Sequence, residues 1–154
     1  MQKKRYYLDT SVWVGINQDR VKFDTQLFFK MMLDSQSVCL YSEIVEYEMA
    51  DKSKVARNFF KFWPGAREKV KKTSDVLKLA DTYISLNVVD KKHRSDCIHI
   101  AAATIQGADV LVSWNFKHIV HVDKAKEYNF INMGLGYPML EIRSPIQEVE
   151  YGFN

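Results

Sequence analysis

Cysteine, proline and glycine are scarce in this chain of 154 residues, which holds two, three and six of them. Cys39 and Cys97 make no CxxC pair and join no zinc-like cluster, so two reduced, buried thiols are expected. The loop after the first apolar run has only Gly15, which excludes a Gly-rich phosphate cradle there. The prolines, Pro64, Pro138 and Pro145, fall at breaks between patterned segments. No apolar run reaches the ~18 residues of a membrane span. The basic N-terminus, Met1 to Arg5, precedes only a short strand-like run, too short for a secretory signal, and a cytoplasmic protein is expected. Neither sign of charge dominates. A formal net charge of +3 is too small to establish a nucleic-acid partner. Lys3-Lys4-Arg5, Arg67 through Lys72 and Lys91-Lys92-His93-Arg94 are local basic clusters that could track phosphates, although most such runs are solvated faces.

What is present is an ordinary globular composition, 47% hydrophobic and 27% charged, in a length that suits one domain, residues 1–154. Tyr6-Tyr7-Leu8 reads as a short buried strand closed by Asp9, with Thr10 or Ser11 capping the helix that follows. A helical spacing spans 19–36, and Ser37–Tyr41 is a second strand. Ser42 caps another helix. Helical patterns run through 54–63, stop at Pro64-Gly65 and resume over 66–86. Val88-Val89 is a brief extended segment. Helix 95–106 opens with Ser95 as cap and closes at Gly107. Asp109–Ser113 is the third clear strand, 124–132 a helix, and 139–143 a final strand that Pro145 ends. Strands alternating with helices indicate an α/β fold with a mostly parallel sheet.

In such sheets ligands gather at the carboxyl edge of the strands, where Asp9 falls. Read alone, Asp9 is equally a turn residue, and the hydroxyls of Thr10 and Ser11 can hold its carboxylate. At ~100° per residue, Glu48 lies between Ile44 and Val45, inside an apolar arc that also takes in Tyr47 and Met49, while Glu43 and Glu46 lie toward solvent. An acid on an inward stripe needs a partner, and a buried salt bridge would also supply one. Asp96 complements its helix dipole, yet shares a side with Ile100, Ala103 and Thr104 and so looks toward the sheet. His99, one turn on, reads as a hydrogen-bonded core residue rather than a ligand. Asn115 reaches the same edge as Asp9 if its strand neighbours the first; it offers a neutral oxygen to a metal or a water, or simply makes the turn. Carboxylates converging with no Arg or Lys close in sequence would repel one another unless a hard cation sat among them. Mg²⁺ or Mn²⁺ suits such oxygens and acts on phosphate esters.

LDTSVW at 8–13, YSEIVEYEM at 41–49, HRSDCIHIAAA at 93–103 and DVLVSWNFKHI at 109–119, taken in that order, resemble a PIN domain, and more narrowly a VapC-type toxin ribonuclease. The tail INMGLGYPMLEIRSP at 131–145 is similar to the end of one PIN subgroup. The resemblance implies a three-layer α/β/α sandwich with a metal site at the carboxyl edge. It places the family's acids on Asp9, Glu48 and Asp96, its fourth position on Asn115, and a supporting polar position on Ser11. Asparagine in place of the fourth acid favours one tightly held ion over two. Also implied are RNA as substrate, a homodimer, and a small antitoxin encoded beside the gene. Two other classes compete with a nuclease that is a toxin or stands alone in RNA processing. One is a non-cleaving RNA-binding or regulatory module of the same fold. The other is a nucleotide- or phosphate-binding α/β protein, which the missing glycine loop disfavours.

Overall fold

A computed structural model describes residues 3–152. Five parallel strands form one sheet in the order β3-β2-β1-β4-β5. They are β1 (Arg5–Leu8), β2 (Val38–Ser42), β3 (Arg67–Val70), β4 (Val110–Val112) and β5 (Glu141–Arg143). The strand period of two divides the interior between the two faces of the sheet. On one face Tyr6 and Leu8 pack with helices α1 (Thr10–Gly15), α2 (Lys22–Asp34), α3 (Glu43–Met49), α4 (Lys54–Phe62) and α8 (Pro145–Gly152). On the other, Tyr7 and Leu111 pack with α5 (Ser74–Ser85), α6 (Arg94–Gln106) and α7 (Val122–Gly134). The result is the α/β/α sandwich expected, with every strand pairing parallel. No helix among the described residues is long and apolar enough to cross a membrane. Cys39 and Cys97 are free and buried.

Strand order explains where a site can form. The chain runs outward through β1, β2 and β3, then returns to the other side of β1 for β4 and β5. Connections from β1 and β4 therefore leave on opposite faces, and a crevice opens between them at the carboxyl edge. α6 lies directly over this centre. Residues Cys97–Thr104 are buried throughout, its alanines let it approach the sheet closely, and Gly107 closes it at φ 70°.

The structure departs from the sequence expectations at several points. The helical pattern over 66–86 is interrupted by β3, in which only Val70 is buried. Charges suit this edge position, and Arg67 fixes it by donating to the carbonyls of Phe60 at 2.7 Å and Trp63 at 3.2 Å, at the end of α4. Its guanidinium also lies 5.3 to 5.9 Å from the ring centres of Phe60, Tyr41 and Trp13. Asp9, not Thr10 or Ser11, holds the N-cap position of α1. Ser95 lies inside α6, which grows out of a 3₁₀ turn at Lys91–His93 capped by Asp90. Val88 and Val89 are buried in a bend rather than extended. Tyr47 is 82% exposed, outside the apolar face of α3. Pro145 begins α8 as well as following β5. Ser144 and Gln147 cap that helix reciprocally, each side chain accepting from the other's backbone N–H, at 2.8 and 3.3 Å.

Candidate active site

Each acid reaches the crevice from a different element. Asp9 leaves β1 opposite the end of β4, its backbone N–H donating to Val112. Its side chain is gripped on both oxygens: Ser11 Oγ donates to Oδ1 at 2.6 Å and Ser113 Oγ to Oδ2 at 2.5 Å. Those hydroxyls accept in turn from the backbone N–H groups of Trp114 and Asn115, both at 2.9 Å. The amides thus fix each hydroxyl as a donor toward the carboxylate. Burial raises the Asp9 pKa and the Asp96 charge adds to the rise, against the opposing pull of His99 and the two serines.

Glu48 projects from α3, and one of its oxygens accepts from Thr10 Oγ1 and from His99 Nε2, each at 2.8 Å. The far ring nitrogen of His99 meets the Tyr7 hydroxyl at 2.8 Å, which bonds to Ser42 Oγ at the same distance. Burial opposes ionisation of Glu48, but His99, helped by Thr10 and Lys52, outweighs it and holds the pKa below the usual value. Asp96, in the first turn of α6, is half-buried and accepts from Asn115 Nδ2 at 3.2 Å. Its pKa is raised by burial and by the Glu48 charge, against His99, His93 and Asn115.

All five residues singled out from the sequence, Asp9, Ser11, Glu48, Asp96 and Asn115, line one cleft of about 280 Å³. Asn115 faces it by its nitrogen. Its oxygen is taken up by the backbone N–H groups of Lys117 and His118, at 3.2 and 3.0 Å, so the turn role and the site role coexist in one side chain. Thr10, Lys52 and His99 also line the cleft. His99 is the hydrogen-bonded core residue expected of it, and its partner is a site acid. Its spacing of three from Asp96 on one helix was the available signal. Of the two hydroxyls expected to hold the Asp9 carboxylate, Ser11 does so, while Thr10 turns to Glu48; Ser113 stands at the end of a site strand, but hydroxyls are too common for that to mark it.

Two expectations about charge change. The acids are not without a cation, since Lys52 stands among them and helps to lower the Glu48 pKa. Lys3-Lys4-Arg5 lies at the amino end of β1, away from the cleft, with Lys4 held by Glu148 and Arg5 by Glu68. Arg94 pairs with Asp81 and Lys69 with Glu46, while His93 stacks on His118 with centroids 3.7 Å apart.

The donor set fits a hard divalent cation in its chemistry. Beside His99 and Lys52 it offers carboxylate, amide and hydroxyl groups, and two of its acids are pushed by burial and by neighbouring carboxylates toward a protonated state that a cation would relieve. One oxygen on Glu48 and one on Asp96 lie outside the hydrogen bonds described above. Among the described residues, however, no three His, Cys, Asp or Glu side chains are drawn together as a ready-made metal site.

No sequence-family model matches the chain, and no curated protein matches it in sequence. Among solved structures it matches the crystal structure of VapBC2 from Rickettsia felis bound to a DNA fragment from their promoter. The TM-score is 0.59 at 14% identity, covering 91% of this chain and 98% of that one. An identity this low speaks to architecture alone. The sheet order, its two helical layers and this match give the chain a PIN-like fold.

Proposed function

We propose that the chain is a Mg²⁺- or Mn²⁺-dependent ribonuclease, the toxin of a type II toxin–antitoxin pair. The observation that carries the reading is the meeting of Asp9, Glu48 and Asp96 in one crevice, with the pKa of both aspartates raised. Perturbed acids collected in a cleft mark functional sites more often than structural ones. A divalent cation held by these three acids would polarise the phosphodiester and lower the pKa of water.

The chain's own residues do the rest. Ser11 and Ser113 prevent rotation of the Asp9 carboxylate, and His99 with Thr10 fixes that of Glu48. Asn115 holds one oxygen of Asp96, leaving the other free toward the cleft. Water attacks phosphorus in line and its oxygen forms the new P–O bond. Its proton passes to one of the cleft carboxylates as the bond to the leaving ribose oxygen breaks, and that oxygen takes a proton from solvent to leave as a hydroxyl. The partner expected for a chain with this fold is a small antitoxin, and a homodimer is the expected assembly. VapBC2 supports the antitoxin partner by analogy of fold.

Cleavage of RNA should stop with EDTA, return with Mn²⁺, and be lost in Asp9→Asn and Asp96→Asn with the fold retained. Asp96→Asn cleaving as fast as the parent would sink the assignment. A second reading, a non-cleaving RNA-binding module, draws on Asn115, whose oxygen serves the turn rather than the cleft. RNA bound without cleavage at saturating Mn²⁺ would favour it. An adjacent gene for a small DNA-binding protein would support the toxin label, and its absence would count against it.

A further inference from the structure

Beside the acidic cleft lies a larger concavity that the proposed chemistry leaves without a task. It encloses about 620 Å³, within the roughly 300–1,000 Å³ of pockets that take small planar ligands. Trp114, Phe116 and Val21 supply its apolar wall, and Gln18, Asp19 and Arg20 its lip. Gln18 also borders the acidic cleft, so the two spaces share a wall.

The aromatic wall is held in place from three sides. The indole N–H of Trp114 donates to Thr25 Oγ1 at 3.0 Å, and its backbone N–H to Ser11 Oγ at 2.9 Å. A Cβ on Gly15 would stand 2.8 Å from Thr25 Oγ1 and 3.0 Å from the indole nitrogen, so glycine is what lets the ring lie against α1. Phe116 meets Trp114 edge to face, centroids 6.1 Å apart, yet remains 52% exposed. A large aromatic in that position, immediately after the Asp96 partner Asn115 and in no core cluster, has a face to offer. At the lip, Asp19 is tied to Lys22 at 3.3 Å, whereas exposed Arg20 takes no ion pair or hydrogen bond among the described residues.

An aromatic wall, a polar lip and an unengaged guanidinium next to an acidic cleft match a planar base joined to a phosphate. Bases are available for such stacking only where they are unpaired. We infer that the groove receives an unpaired nucleobase of RNA beside the scissile phosphodiester, stacked on Phe116 with the Trp114 indole against its edge, and with Arg20 on the adjoining phosphate. The substrate class is then single-stranded RNA or a loop, and duplex is discriminated against. The inference rests on the ribonuclease reading for its chemistry, but the binding it describes can be tested without cleavage.

Binding of a labelled single-stranded oligoribonucleotide and of the same sequence as duplex would be measured in the Asp9→Asn background. Single strand should bind at least about tenfold more tightly. Phe116→Ala should weaken it about five- to hundredfold, equivalent to about 1–3 kcal/mol per unstacked base, and leave duplex binding unchanged. Phe116→Tyr should retain the affinity, and removal of the base beside the cleavage position should add nothing to the loss in Phe116→Ala. With Asp9 intact, Phe116→Ala should raise KM for single strands with kcat within about twofold. Parental affinities in both Phe116→Ala and Arg20→Ala overturn the groove and leave the nuclease standing. Single-strand binding that fails in Phe116→Ala, in a parent that cleaves nothing, overturns the nuclease and keeps the groove. Absence of any RNA binding overturns both.

Discussion

Replacing Asp9 by asparagine separates what the cleft costs from what it is for. The parent carboxyl is 4% exposed, and burial together with the Asp96 charge raises its pKa. Asparagine keeps the shape and removes the charge. Its oxygen can accept from one serine, and the other serine hydroxyl can accept from its Nδ2. Ser11 and Ser113 Oγ stand 3.4 Å apart, so the hydroxyl proton released by that turn has a neighbour to bond. With no buried group left unpaired, relief of the charge should stabilise the metal-free fold by about 1–2 kcal/mol, the scale on which relaxing a functional site raises stability. For a chain of this length that is roughly 2–8 °C in melting temperature. The pH dependence has a definite sign. A raised folded pKa means that the native parent holds more protons than the unfolded chain above about pH 3.9. Its stability therefore declines as pH rises from there through the raised value, and the advantage of Asp9→Asn, absent below that window, is complete once pH has passed it. Mn²⁺ at a hundredfold its dissociation constant should add about 2.7 kcal/mol to the parent and little to the variant, reversing the order. Urea unfolding in EDTA and in MnCl₂ reads both effects. A variant less stable than the parent in EDTA at pH 7, or equally stabilised by Mn²⁺, would refute the reasoning.

Other outcomes follow from the same geometry. Glu148, fully buried, accepts from Tyr6 at 2.6 Å, Arg143 at 2.7 Å and Lys4 at 3.0 Å. Burial alone would raise its pKa, but these partners lower it. Glu148→Ala should cost about 3 kcal/mol in urea at pH 7 because it strips Lys4 and the buried Tyr6 hydroxyl of their partner and leaves Arg143 with Glu141 at 3.5 Å. The stability Glu148 gives is present above its unfolded value near pH 4.3 and lost as pH falls through the lowered folded one, so the penalty should vanish in strong acid. His99→Ala should reduce activity or Mn²⁺ affinity about ten- to hundredfold by freeing Glu48, and both staying within twofold in kinetics against Mn²⁺ would argue that Thr10 alone suffices. Gly15→Ala should destabilise the fold by about 1–3 kcal/mol through overpacking against Thr25 and Trp114, visible as a lowered urea midpoint.

Where a residue's local pattern matches its environment, the sequence discloses it. Asp9 is legible because an acid ends an apolar run. Glu48 is legible because it breaks an inward stripe, even though Tyr47 on the same helix turns out to solvent. β3 is concealed because its role at the edge calls for charge, and its placement depends on Arg67 reaching back to α4, a contact with no local signature. α8 is missed by a reading that stops at Pro145, and its buried Glu148 looks like any surface glutamate until Lys4 and Tyr6 arrive from the other end of the chain. Asn115 shows its place only once β4 is known to lie against β1. Which of its two amide ends faces the acids is settled by the loop backbone, which no side-chain pattern encodes.

The peptide N–H of Trp114 reaches Asp9 through a single serine oxygen. The indole that walls one hollow and the acid that floors the other are thereby two ends of one short tether. A change that lets the 114 peptide swivel would slacken the carboxylate without touching it, and a ligand pressing on the ring would make itself felt at Asp9.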